Sequence, residues 1–462
     1  LYYFLPITLA MYFIIPKKWL WLRNLWLLLS SVVFYAWGEP LYVLLMLAQV
    51  FSGWFFGLLI HRFRANRRLA RLALIGSLVV GFSSLIFFKY SDFLISNLNA
   101  AGLDIALLKL ALPLGISFYT FQTLSYTMDL YMGNTKVQYN PLTFATYVML
   151  FPQLIAGPIV RYVDVENELK HREHSINLFG AGVRRFIIGL GKKVLLANVL
   201  GELVKIYKDS GEKTLLFTWL YLIAYSLHIY FDFSGYSDMA IGMGKMFGFK
   251  FLENFNYPYI SRSITEFWRR WHISLSTWFR DYVYIPLGGN RVKLWRHIFN
   301  IFIVWLLTGF WHGAGWNFIL WGVYFAVLLL LEKFVLAKLL KRIPKVFGHA
   351  YTLLFLLISW TLFDSESLRE TGAALLRMFD FSSAENLGIE GLYYLKSYAV
   401  IIIIGIIGAT PLPKKITAKL EASQGGEKAL LAGEVLFLSG ILLMVTANLV
   451  DGSFNPFIYF RF

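Results

Sequence analysis

The sequence predicts an all-α polytopic membrane protein, a bundle of about 11 spanning helices supplemented by re-entrant and interfacial ones. Three observations predict it. Of 462 residues, 58% are hydrophobic and only 15% charged, with a mean hydropathy of +0.60, which sets the chain apart from soluble domains. The apolar runs are long and continuous, not the alternating strands of about ten residues that a barrel would show. The formal net charge of +16 is gathered at Lys17-Lys18, His61–Arg71, Lys170–Arg185, Arg262–Arg296 and Lys333–Lys345, as expected of loops held on the cytoplasmic side.

Taken in order, Tyr2–Ile15 reads as a first span and Leu25–Trp37 as a second, joined by the basic Lys17-Lys18 loop. The first run has no basic region ahead of it, so it reads as a retained span that starts outside, not as a cleaved leader. Gly38-Glu39-Pro40 turns into Leu41–Ile60, the basic loop to Arg71 lies in the cytoplasm, and Leu72–Phe88 returns. Leu107–Tyr131 is broken by Pro113 and Gly115 and studded with polar residues, a pattern tolerated at membrane depth where protein surrounds the backbone. Phe144–Val160 carries Pro152 and Pro158 and is expected to kink. Ile176–Leu200 mixes apolar residues with Arg184, Arg185, Lys192 and Lys193 and suits the interface. Leu215–Tyr230 is a span. From Gly242 to Gly289 nothing is apolar enough to cross, and spans resume at Ile298–Phe310, Trp316–Leu331, Tyr351–Leu362, Ala399–Ile407 and Leu430–Leu449. With no repeat and no long linker, residues 1–462 read as one membrane domain whose polar chemistry lies within 230–320.

Cysteine is absent, which removes disulfides, thiolate metal sites and a cysteine acyl-enzyme. Part of the basic surplus suits an anionic cofactor or lipid headgroups. Nucleic acid is excluded as a partner, since no basic stretch belongs to a soluble domain able to hold it.

The stretch Leu306–Trp316 places His312 between two apolar runs, with Gly309, Gly313 and Gly315 around it. An ionisable ring within a membrane segment is a functional candidate. On one continuous helix Trp305, Thr308, Gly309, Gly315 and Trp316 would share its face. A core histidine satisfied by Thr308 or a carbonyl is the alternative. Ser263–Tyr282 reads as an amphipathic helix, with Trp268, Trp271, Leu275, Trp278, Phe279 and Tyr282 as an aromatic stripe and His272 at its edge. Arg269, Arg270 and Arg280 fill the polar arc, either snorkelling to the interface or meeting a ligand. Asp232 and Asp238, flanking Ser234–Ser237, either orient a histidine, hold a hydroxyl, or pair with those arginines.

These residues together resemble the membrane-bound O-acyltransferase (MBOAT) superfamily, and within it the bacterial branch that O-acetylates exported polysaccharides, typified by alginate O-acetylation. The matching stretches are PLGISFYTFQTLSYTMDLY from Pro113, PQLIAGPIVR from Pro152, YFDFSGYSDMAIGMGKMFGF from Tyr230, NFNYPYISRSITEFWRRWHISLSTWFRDYVYIPLGGNR from Asn254, LLTGFWHGAGWNFILWG from Leu306 and FNPFIYFRF from Phe454. The resemblance implies a helical bundle around a central tunnel, with a catalytic histidine at the WHG motif, His312, and a partner histidine at the RRWH motif, His272. It also implies a cytoplasmic acyl donor, acetyl-CoA, and a separate extracytoplasmic transferase of the SGNH type that passes acetyl to the polymer. The enzyme would then be a multi-pass protein of the bacterial cytoplasmic membrane.

Thioester cleavage needs no metal; it needs a base for the attacking hydroxyl and a donor for the developing oxyanion. A neutral, buried imidazole suits the base, and His312 is assigned that role. His272, Asn317 and Tyr236 remain open as donors, and Arg269, Arg270, Arg280, Asp232 and Asp238 as ligands for the acyl donor. Within the same superfamily D-alanyl transfer to teichoic acid is the alternative. Outside it stand a transporter or flippase, in which buried His and Asp mark ion paths, and a scaffold subunit with a dead site.

Overall fold

The computed structural model describes residues 2–155, 157–381, 387–423 and 426–451. The closing FNPFIYFRF stretch and Ala156 of PQLIAGPIVR lie outside the described residues. In chain order the helices are α1 Phe4–Ile14, α2 Leu20–Gly38, α3 Tyr42–Arg62, α4 Arg67–Ala100, α5 Ile116–Met132, α6 Pro141–Met149, α7 Tyr162–Lys170, α8 Ile176–Gly191, α9 Asn198–Asp209 and α10 Leu215–Met246. They continue as α11 Ile264–Trp268, α12 Ile273–Phe279, α13 Leu294–His312, α14 Trp316–Leu331, α15 Ala337–Arg342, α16 Lys345–Asp364, α17 Leu368–Met378, α18 Ile389–Gly408, α19 Leu412–Glu421 and α20 Gly426–Asp451. Among the described residues nine helices are long and apolar enough to cross a membrane, and α1 is a shorter apolar one. The all-α polytopic fold is therefore that of a multi-pass membrane protein.

The chain forms two compact units, residues 1–183 with 240–252, and residues 184–239 with 253–462. In the first, α5 explains the broken, polar stretch: it packs among α3, α4 and α6, so its polar side chains face protein and not lipid. Thr120 Oγ1 donates to Gln49 Oε1 at 3.1 Å, and Ser77 Oγ to Thr127 Oγ1 at 3.0 Å. Gly115 opens this helix at φ +71°, where a Cβ would also sit 2.7 Å from the Leu154 carbonyl; only glycine fits both demands. The expected kink in Phe144–Val160 is sharper than a kink. Helix α6 ends at Met149 and the chain turns through Pro152.

In the second unit α10 is the enclosed span, with 72% of its apolar window buried against 39% or less for the other eight. That enclosure lets it carry carboxylates. Helices α13 and α14 form a hairpin whose closest approach is Gly309 against Gly322. A Cβ on Gly309 would lie 2.3 Å from the Phe318 carbonyl oxygen, and one on Gly322 2.4 Å from that of Trp305. Small residues are what permit two membrane helices to approach so closely.

Candidate active site

His312 is the last residue of α13, Gly313 is already extended, and α14 starts at Trp316. The two apolar runs on either side of this stretch are two helices joined by a short turn. Trp305, Thr308 and Gly309 do share the face of His312, whereas Gly315 and Trp316 belong to the next element. The turn is closed because Gly313 and Gly315 leave the chain free to fold back on the Phe318 ring. His312 is 4% exposed and ringed by aromatics, its centroid 4.9 Å from Trp321, 5.0 Å from Trp311 and 5.3 Å from Phe363.

The second histidine is set by a break that the periodicity does not show. The expected amphipathic helix Ser263–Tyr282 is two short helices, α11 and α12, followed by a π-turn over Arg280–Tyr284. His272 lies between them at φ +44° and ψ +56°. A left-handed residue that is not glycine is strained by about 1–3 kcal/mol and persists only where its surroundings insist on it. Here they do. Ile273 N–H donates to the Asn254 carbonyl at 3.0 Å and Asn256 N–H to that of Arg270 at 2.9 Å. The start of α11 is held by Ser263 Oγ, which accepts from Glu266 N–H at 3.0 Å. It is also held by the buried Glu332 carboxylate, which accepts from Thr265 N–H at 2.8 Å and from its hydroxyl at 2.6 Å.

The tautomer of His272 follows from its neighbours. Asn254 Oδ1 accepts from the Ser274 N–H at 3.1 Å, and a backbone N–H only donates, so that atom is the amide oxygen. The contact of His272 Nδ1 to the same Oδ1 at 3.1 Å therefore places the proton on Nδ1. Burial pushes the imidazole down to about 3, so the ring is neutral and Nε2 carries a lone pair. In that tautomer Nε2 is an acceptor. Its ring packs edge-on to Phe233 at 4.6 Å and lies 6.0 Å from Trp311, which also touches His312.

A cavity of about 940 Å³ lies beside His272. Its exposed cations are Arg262, Arg269, Arg280, Lys333 and Lys341, and its buried lining includes His272, Trp268 and Thr308. Ile301, Val304, Trp305 and Thr308 of α13 form one strip of its wall; the next turn of that strip, about 6 Å further on, is His312. Trp268 lines the cavity, and its Nε1–H is buried with no hydrogen-bond partner among the described residues. Sequence reading placed Trp268 only in an aromatic stripe, and missed both it and Glu332. An indole donor at the edge of an arginine pair was the one available signal.

The remaining candidates are placed differently. Arg270 does not line the cavity; it pairs with Glu266 at 2.9 Å and donates to the Asn256 carbonyl at 3.1 Å. Arg280 lines the cavity and pairs with Asp281 at 2.7 Å. The pairs found for the α10 carboxylates are with other cations: Asp232 with Lys193, Asp238 with Lys192 at 2.7 Å and Arg185 at 2.8 Å. Asn317 is buried and its Nδ2 donates to the Ser365 carbonyl at 3.0 Å. Asp232, Tyr236, Asp238 and Asn317 are not among the cavity's lining residues. Among the described residues no group of three or more His, Asp or Glu side chains is placed to hold a metal.

Two buried histidines that share a contact with Trp311, and a cationic cavity beside one of them, make up the candidate site within a multi-pass membrane protein. The model of the membrane-bound O-acyltransferase family, MBOAT, matches residues 134–363. The chain is 42% identical over 388 residues to a probable alginate O-acetylase, AlgI, of Pseudomonas aeruginosa, covering 83% of this chain and 74% of that protein. It is 37% identical over 399 residues to a peptidoglycan O-acetyltransferase of Helicobacter pylori, covering 79% and 76%. A teichoic acid D-alanyltransferase of Bacillus subtilis is 34% identical over 227 residues, covering 47% of this chain and 58% of that protein. The chain belongs to the membrane-bound O-acyltransferase family and is an acyltransferase of the bacterial membrane.

Proposed function

We propose that the chain transfers an acetyl group from cytoplasmic acetyl-CoA towards a hydroxyl on an exported polysaccharide, through an extracytoplasmic partner transferase of the SGNH type. The cavity carries this reading. Its exposed rim of five cations suits the phosphates of a coenzyme A thioester, and its inner wall of Trp268, Thr308 and His272 suits the pantetheine arm. A transporter is expected to show two related halves, and the sequence has no internal repeat. The glycan acceptor class is supported by the Pseudomonas and Helicobacter relatives, both aligned over most of their length.

His312 takes the proton of the acceptor hydroxyl, and the freed oxygen attacks the thioester carbonyl carbon. The C–O bond forms, the C–S bond breaks, and the leaving thiolate recovers the proton from the imidazolium. Ester and free coenzyme A thiol result. His272 accepts a hydrogen bond at Nε2 from an amide N–H of the donor arm, and Trp268 Nε1–H donates to one of its carbonyls. Asn254 positions His272 by fixing its tautomer.

The test uses the chain's lack of cysteine, so this chain adds nothing to the thiol signal of released coenzyme A. Purified protein with acetyl-CoA and partner or surrogate acceptor is expected to release thiol. His312→Ala is expected to lose about 10²- to 10⁴-fold in rate, the usual share of a general base, while its melting temperature stays near wild type. A His312→Ala variant that keeps its rate per folded molecule sinks the assignment. Turnover of a D-alanyl carrier thioester in place of acetyl-CoA would replace the donor.

A further inference from the structure

Within the first unit, the loop from α1 to α2 and the loop from α7 to α8 bring a second set of cations together. Lys17, Lys18, Arg23, Arg172 and His174 line a cavity of about 350 Å³. Lys170 also lines it but is paired with Glu166 at 2.7 Å. Glu173 is the carboxylate in the lining, and among the described residues Lys17, Lys18, Arg23 and Arg172 form no ion pair. Four cations thus face one carboxylate.

A positive loop on the cytoplasmic side accounts for exposed lysines. It does not account for Arg23, which is 2% exposed. Its Nε and Nη2 both donate to the Ile15 carbonyl at 2.9 and 2.6 Å. The guanidinium lies 4.8 Å from the Tyr12 ring centre, and Nη1 is buried with no partner among the described residues. Arg172 is similarly occupied by neutral groups: Tyr12 Oη at 3.0 Å, the Glu168 carbonyl at 3.0 Å and the Asn24 side chain, with Phe249 4.1 Å below it. A buried guanidinium without an anion is costly, and mutual repulsion adds to that cost.

His174 completes the arrangement. Tyr12 Oη donates to the Phe247 carbonyl at 3.1 Å, so it accepts from Arg172 and from His174 Nε2 at 2.8 Å. The neutral ring then has its lone pair on Nδ1, which is also buried with no partner among the described residues. Burial first, then Arg23, Arg172 and Lys17, hold this imidazole down to about 4. The neighbouring cations thus disfavour a further positive charge on this ring.

We propose that this cavity binds a phosphate group, with Arg23 Nη1 and the Lys17–Lys18 ammonium groups as its ligands. The phosphate oxygens supply the acceptors that Arg23 lacks, and their charge offsets the surplus of three cations. His174 gains a proton as the anion enters, turning Nδ1 into a further donor. Two sources carry this chemistry, the headgroup of an anionic lipid in the cytoplasmic leaflet and a soluble phosphate. The site consists of residues of the first unit only and is separate in sequence from the cavity beside His272, so it does not depend on the acyl-transfer reading.

The experiment follows thermal unfolding of the full chain, purified in phosphatidylcholine micelles at fixed ionic strength. Titration with phosphatidylglycerol and, separately, with inorganic phosphate in place of chloride is expected to give a saturable rise in melting temperature with at least one of them. A response to phosphatidylglycerol alone assigns the lipid; a response to inorganic phosphate assigns a soluble source. Lys17→Gln/Lys18→Gln is expected to weaken the apparent affinity at least about tenfold, and Arg23→Gln likewise. The exposed lysine pair keeps the test valid where the buried arginine variant does not fold. Lys414→Gln/Lys415→Gln, on α19, is expected to leave it unchanged. No response to either probe in wild type overturns the proposal, as does a response that the α19 pair abolishes and the Lys17-Lys18 pair does not.

Discussion

Gly309→Ala tests whether the α13–α14 approach sets the position of His312. In an exposed helix the change would favour folding by up to about 1 kcal/mol, because alanine is the better helix former. Here the added Cβ meets the Phe318 carbonyl oxygen at 2.3 Å and Gly322 Cα at 3.0 Å. The first distance is about 1 Å short of the ~3.5 Å at which such atoms pack. The obstacle is backbone, so no rotamer change relieves it, and the helices must separate. Overpacking of this kind costs about 1–3 kcal/mol, which against a propensity gain of up to about 1 kcal/mol leaves a net loss of about 0–2 kcal/mol. Three residues further on stands His312, the end of the same helix. Shifting it by about 1 Å is expected to reduce acetyl transfer up to about 10²-fold. The assay pairs thiol release with thermal unfolding in detergent. Gly440→Ala, where a Cβ would meet nothing within 4 Å, is the control and is expected to be neutral or slightly stabilising. A Gly309→Ala protein with wild-type melting temperature and rate would refute the argument that this glycine pair places His312.

Two further predictions concern the cavity. Arg269→Lys or Arg280→Lys is expected to raise KM for acetyl-CoA at least about tenfold, roughly 1.4 kcal/mol, since a planar fork is lost from the rim. Arg270→Lys, whose guanidinium faces Glu266, is expected to leave KM near wild type; steady-state kinetics of the three variants separate them, and equal effects would undo the distinction. Glu332→Gln leaves one acceptor where two served α11, so stability is expected to fall by about 1–2 kcal/mol, as for a lost helix cap, read as a lower melting temperature with KM raised in parallel.

What the sequence shows and what it hides divide along physical lines. Apolar runs and clustered cations are one-dimensional signals, and they located the spans, the basic loops and the His312 stretch. The left-handed turn at His272 leaves no such trace. A single residue at positive φ changes the direction of the chain without altering the spacing of Trp268, Trp271, Leu275 and Trp278, so the stripe still reads as one helix. Ion pairing is hidden for a different reason. Asp238 meets Lys192 and Arg185, which lie 46 and 53 residues before it, and only the packing of α8 and the π-helical turn after it against α10 decides that against the nearer arginines of the RRWH stretch.

The same contrast explains why Arg269 and Arg270 differ although they are adjacent. On a helix successive residues point about 100° apart, and α11 is held in one rotation by Ser263 and Glu332 at its start. With that rotation set, Arg269, at the C-cap of α11, lines the cavity, and Arg270, in the turn just after it, reaches back to Glu266 four residues earlier. The break at His272 then frees the following residues from the phase of α11, which lets Asn254 reach His272 Nδ1 and Ser274 together. A continuous helix would give Ser274 N–H to the Arg270 carbonyl and leave Asn254 without it. The strain at His272 is therefore coupled to the tautomer: removing the left-handed turn removes the N–H that identifies Asn254 Oδ1 as an acceptor, and with it the reason for the lone pair to lie on Nε2.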